Sequence, residues 1–187
     1  MTLAAPAEVL ELHVGQMRQL FNAMDPAPFR ERDLDPNAEA YIVDWGRETD
    51  RRAPLELMVR LSREQVTPED TAVLRDAVYC YFHQRATATR MQLRRLLRMG
   101  RISLLIGLAF LAAAIVIGEF IAGFVRQDSY GGIIKETFVI GGWVALWRPL
   151  EIFLYDWWPI RSEAQLLDRL AQMRVQVVDA RGAAEAT

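Results

Sequence analysis

Three patterns of apolar and polar positions follow one another along this chain, and each predicts a different element. In residues 6–24, Val9, Leu10, Leu12, Val14, Met17, Leu20, Phe21 and Met24 fall mostly on one stripe at helical spacing, which predicts an amphipathic helix. Asp25-Pro26 stops it, because the residue before a proline avoids helical geometry. A second helix is expected from Asp35 as N-cap and Pro36 at the first helical position, with Ala38, Tyr41, Ile42 and Trp45 on its packing face. "PLELMVRLS", residues 54–62, alternates instead, and predicts a strand with Leu55, Leu57, Val59 and Leu61 on one face. No other stretch alternates as well, so its expected partner is "PFRERDL" or a copy of itself across a dimer. "TPED" then starts a helix with Thr67 as cap and Asp70 at the third helical position. Val73, Leu74, Ala77, Val78, Tyr81 and Phe82 continue its apolar face.

The third pattern is an unbroken apolar run. "ISLLIGLAFLAAAIVIGEFIAGFV", residues 102–125, has one ionisable residue in 24. It is long enough to cross a hydrocarbon layer of ~30 Å at ~1.5 Å per residue. In residues 131–158, "GGIIKETFVIGGWVALWRPLEIFLYDWW", only Thr137 to Trp147 is free of charge. That stretch spans if Lys135 and Glu136 lie in one headgroup layer and Arg148, Glu151 and Asp156 lie towards the other. Trp143, Trp147, Tyr155, Trp157 and Trp158 supply the aromatic enrichment of a membrane interface. Pro149 predicts a kink, since it cannot donate a backbone hydrogen bond. Pro159 is expected to break the helix, which restarts at Ser162 and runs through "SEAQLLDRLAQMRVQVV" to a disordered tail, "DARGAAEAT".

These elements define a mainly α membrane protein: a two-helix transmembrane hairpin with a small α+β N-terminal cytoplasmic domain and a C-terminal cytoplasmic helix. The expected divisions are 1–84 for the domain, 85–101 for a basic juxtamembrane helix, 102–125 and 133–158 for the spans, 126–132 for the extracytoplasmic loop, and 159–187 for the cytoplasmic helix and tail. The net charge of −2 hides a strong segregation. Residues 1–76 hold 15 acids against 9 arginines, whereas Ala77 to Gly118 has no acid but carries Arg85, Arg90, Arg94, Arg95, Arg98 and Arg101. Arginines before the first span and Arg161, Arg169 and Arg174 after the second place both termini in the cytoplasm. The single Cys80 excludes an intrachain disulfide and fits a reducing compartment. Glu8 and Glu11 interrupt the first residues, so no signal peptide is expected.

Candidate chemistry is sparse. His13 and His83 have no second metal ligand at useful spacing, and no phosphate-binding glycine motif is present, so neither metal nor cofactor is expected. No Ser or Cys nucleophile has an identifiable base, which leaves catalysis without support. Arg90, Arg94, Arg95, Arg98 and Arg101 lie beside a span without interleaved aromatics, so anionic lipid headgroups are expected partners and nucleic acid is not. Glu119 lies ~9 Å inside the outer end of the first span at 1.5 Å per residue, and an intramembrane carboxylate is costly. It is expected to pair with Lys135 across the hairpin, with a proton or ion site as the alternative. Arg148, Glu151 and Tyr155 fall within about 60° on one helical face, and Asp156 extends their polar side. An ion-paired anchor or a docking surface for another membrane protein, or for a second copy of this chain, follows from that stripe.

"LFNAMDPAPFRERDLDPNAEAYIVDW" and "GWVALWRPLEIFLYDWWPIR" together cover about a quarter of the chain. In these stretches it resembles a group of small bacterial two-span membrane proteins of unknown function. The resemblance implies a bacterial inner membrane and carries no activity, cofactor or catalytic residue. Three functions remain open at this point. The chain is a non-catalytic scaffold or accessory subunit, an oligomeric channel or transporter component using Glu119 and the Arg148/Glu151 stripe, or a membrane-bound enzyme acting on an apolar substrate.

Overall fold

The structure, a computed structural model, describes residues 7–26, 32–63, 67–124 and 128–179. It divides into two compact units: Met1–Ala88 together with Glu163–Thr187, and Thr89–Ser162.

The first unit is built on the strand that alternation predicts. β2, Leu55–Leu61, buries Leu55, Leu57, Val59 and Leu61 and leaves Glu56, Met58 and Arg60 half-buried. Its partners differ from both expected ones. β1, Glu8–Val14, lies parallel along one side, and β3, Arg174–Asp179, lies parallel along the other. The register aligns Leu10 with Leu57 and Val175, then Leu12 with Val59 and Val177. Two helical expectations are thereby corrected. "EVLELHV" within the presumed first helix is a strand, followed by a 3-10 turn at Met17–Leu20. "RVQVVD" after the C-terminal helix is also a strand. In both stretches apolar residues sit at every second position, so a strand buries them as well as a helix would, and pairing with β2 satisfies the backbone. Of "PFRERDL", residues 28–31 lie outside the described residues, and Leu34 forms a single antiparallel bridge with Phe21.

One face of this sheet is covered by helices. α1, Pro36–Glu48, starts where expected: the Asp35 carboxylate accepts from the N–H groups of Asn37 at 2.9 Å and Ala38 at 3.4 Å. α2, Pro68–Phe124, starts at a reciprocal cap in which Thr67 N–H donates to Asp70 and Asp70 N–H donates to Thr67 Oγ1. The Thr67 hydroxyl, donating to Asp70 Oδ2 at 2.7 Å, and then the Thr67 N–H hold the Asp70 carboxyl below its usual range. Ile42 of α1, Leu74, Val78 and Phe82 of α2, and Leu167 and Leu170 of the C-terminal helix join Leu57 and Val59 in one core. The C-terminal helix is tied in further by Arg169, whose Nη2 donates to the carbonyls of Asp50 at 2.8 Å and Ala53 at 3.1 Å. On the other face of the sheet Arg60 reaches Glu11 through Nε at 3.0 Å and Nη2 at 3.2 Å, which pulls the Glu11 carboxyl down.

The second unit is a helical hairpin. α2 runs on to Phe124, and α3 covers Asp128–Glu151, so helix already occupies part of the expected 126–132 loop. Residues 125–127 lie outside the described residues. Contacts climb one helix while descending the other, as antiparallel packing requires. A side chain on Gly100 would meet Ile152, one on Gly107 would meet Leu146, one on Gly142 would meet Leu111, and one on Gly118 would meet Phe138. Glycine permits this close approach, the usual device where helices associate without a hydrophobic driving force. The backbone then widens into a π turn at Ile152–Asp156, three residues after Pro149. α4, Trp157–Ala171, follows directly. The expected break at Pro159 does not occur. Pro159 falls in the first turn after the π segment, where the hydrogen-bond register changes and a missing donor costs least.

Candidate functional site

α2 and α3 both contain stretches long and apolar enough to cross a membrane, and only 17 % and 22 % of those stretches is buried. A core helix of a soluble fold would have most of that surface covered. Ile106, Phe110, Val116, Phe120, Val144 and Trp147 are all exposed. The polar side chains between these apolar faces are therefore the candidate site.

Glu119 and Lys135 meet as expected. Lys135 Nζ donates to Glu119 Oε1 at 3.0 Å, joining α2 to α3 near the end of the hairpin. Both side chains are about half exposed, so the pair faces outward rather than into a polar interior. As an anchor it needs an acceptor on α2 but not a charge. Glu119→Gln is expected to leave membrane abundance within about twofold of the parent by quantitative immunoblotting, a difference of about 0.4 kcal/mol if read as an equilibrium. A collapse in abundance would show that the carboxylate itself is required.

At the other end, Arg148 Nη1 donates to Glu151 Oε2 at 2.7 Å and lies 3.5 Å from Asp156 Oδ2. The structure thus brings Asp156 to the arginine, while Tyr155, placed on the same face by a regular helix, is 70 % exposed. The π turn is the cause. One extra residue in a turn sets the following side chains back by about 100°, which swings Asp156 onto the Arg148 face and Tyr155 off it. Trp157 follows directly. Its Nε1 donates to the Phe153 carbonyl at 2.7 Å, and the Arg161 guanidinium lies 5.6 Å from its ring centre.

The five juxtamembrane arginines, Arg90, Arg94, Arg95, Arg98 and Arg101, are all exposed. Arg90, Arg94, Arg98 and Arg101 fall within about 80° of one another around α2, and the glycine face packed on α3 lies elsewhere on the helix. A stripe of this kind can meet several headgroup phosphates together.

Arg85 has a different task from its neighbours in the basic run. Within the first unit its Nη1 lies 2.8 Å from Glu39 Oε1, and Tyr81 Oη donates to Glu39 Oε2 at 2.5 Å. The cluster ties α1 to α2 and was hidden in the sequence by the separation of 42 positions from Glu39 to Tyr81. Burial first, and the Glu39 carboxylate second, push the Tyr81 phenol well above its ordinary range. The folded state thus keeps a proton that the unfolded chain releases near pH 10, so this contribution is complete below about pH 10 and is lost as pH rises beyond it. Denaturation midpoints from pH 9 to 11 should fall more steeply for the parent than for Tyr81→Phe, and equal slopes would remove Tyr81 as the cause.

Among the described residues no three His, Cys, Asp or Glu side chains group as a metal site. Compared with protein-family models, curated proteins and solved structures, the chain matches none.

Proposed function

We propose that this chain is an integral protein of the bacterial inner membrane that acts through protein contacts, as a scaffold or accessory subunit without catalysis of its own. Its two spans anchor it, and both termini lie in the cytoplasm. The observation that carries this reading is the β2–β3 pairing. β2 precedes both apolar helices and β3 follows them, which supports both flanks lying on one side of a bilayer. The basic residues beside those flanks favour the cytoplasm as that side. Conduction is the weaker reading, because the close approaches at Gly107, Gly118 and Gly142 are to Leu146, Phe138 and Leu111, which are apolar.

Affinity purification from detergent-solubilised membranes tests the role. A second membrane protein recovered in fixed stoichiometry, and lost when Arg148, Glu151 and Asp156 are replaced together, is the expected outcome. A pure homo-oligomer that passes ions in planar bilayers would replace the scaffold with the channel.

A further inference from the structure

Beside the Arg148 cluster, α2 and α3 leave a groove of about 350 Å³ open along the hairpin. Ile106, Gly107, Phe110 and Ala145 form its apolar walls, and Ser103 and Arg148 form its polar end. The groove exists because Gly107 and Ala145 bring almost no side chain to that contact. In the membrane reading, which this inference rests on, it opens sideways to lipid.

Depth gives Arg148 its importance. From Glu119 to Arg101 along α2 is ~27 Å at 1.5 Å per residue, about the thickness of the hydrocarbon layer. From Lys135, paired with Glu119, to Arg148 along α3 is only ~20 Å. Arg148 therefore lies about one helical turn deeper than Arg101, level with the groove. Its Nη1 serves Glu151 and Asp156, and its Nε and Nη2 take no partner among the described residues. Guanidinium N–H groups left unsatisfied beside hydrocarbon are costly, and a phosphate matches their planar fork. Two carboxylates against one guanidinium also leave a local negative excess, which favours an ammonium group next to that phosphate.

We propose that the groove binds one inner-leaflet phospholipid whose headgroup carries a primary ammonium. The phosphate sits on Arg148 Nε and Nη2, the ammonium donates to Glu151 and Asp156, and one acyl chain lies along Ile106, Gly107, Phe110 and Ala145. A phospholipid with a quaternary ammonium lacks the N–H donors, and one with a glycerol headgroup lacks the positive charge, so both bind less well.

The test uses the full chain in nanodiscs of phosphatidylcholine containing equal small fractions of phosphatidylethanolamine and phosphatidylglycerol, followed by mild detergent transfer and native mass spectrometry. One phosphatidylethanolamine per chain should survive, about tenfold enriched over the other two lipids, or about 1.4 kcal/mol. Arg148→Gln should abolish that enrichment. Ala145→Leu, which fills the groove and leaves every charge in place, should reduce the bound lipid by a similar factor. Equal retention of the three lipids by the parent chain, or an undiminished adduct in Ala145→Leu, would overturn the proposal. Failure of the parent to enter nanodiscs at all would instead remove the membrane reading beneath it.

Discussion

A chain ending at Gln172 is expected to lose the folded state of its α/β unit, although every residue of the N-terminal sequence remains. The truncation removes β3 and with it Met173 and Val175, both 5 % exposed. Burial of each such side chain is worth about 1.5–3 kcal/mol. It also strips hydrogen-bond partners from one side of β2, whose backbone groups would face a half-empty core. Together these losses approach the whole stability of a small domain, about 5–15 kcal/mol. Hydrogen exchange reads the result directly. A strand with one neighbour protects alternate amides, whereas β2, flanked by β1 and β3, should be slow along all of Leu55–Leu61 in the intact chain. In the truncated chain the same amides should exchange within the dead time. Continued protection there would mean that the N-terminal segment folds alone.

The second large effect is expected at Arg148. Its guanidinium serves two carboxylates, so the three partners are not equivalent. Arg148→Leu leaves Glu151 and Asp156 facing each other without a counter-charge, while Glu151→Leu still leaves Asp156 3.5 Å from the arginine. Removing one partner of an ion pair leaves the other charge uncompensated, and because all three side chains are partly exposed the effect is smaller than for a buried pair. Arg148→Leu should thus lower the membrane level most, Glu151→Leu less, and the double change should recover part of the arginine's loss. Non-additivity of about 0.5 kcal/mol or more in thermal stability marks the coupling. Simple addition of the single effects would mean that the residues act independently.

The two long apolar helices were legible because residues 102–125 and 137–147 are apolar on every side, a pattern no strand or amphipathic surface helix gives. Leu55–Leu61 was legible because alternation between buried and half-buried positions excludes a helix. Glu8–Val14 was not, since Leu10, Leu12 and Val14 satisfy a strand while Val9, Leu10, Met17 and Leu20 also fit a helical stripe. At the C-terminus the period changes from helical to alternating near Met173, inside a run with no glycine or proline to mark the change. The Glu119–Lys135 contact could be inferred from the shortness of the link between the spans. The place of Asp156 could not, because it depends on a π turn that no spacing rule encodes. Arg85 was hidden for another reason: its neighbours in sequence are exposed arginines of one basic run, and its own partner, Glu39, belongs to a different helix.

In the topology we propose, residues before the first span and after the second share one side of the membrane. Reporter fusions compare the two sides most directly, with a reporter placed at Tyr130 and, in separate chains, before Met1 and after Thr187. Tyr130 should give extracytoplasmic activity and both terminal fusions cytoplasmic activity; a cytoplasmic signal at Tyr130, or opposite signals at the two termini, would dismantle the hairpin and the membrane anchor with it.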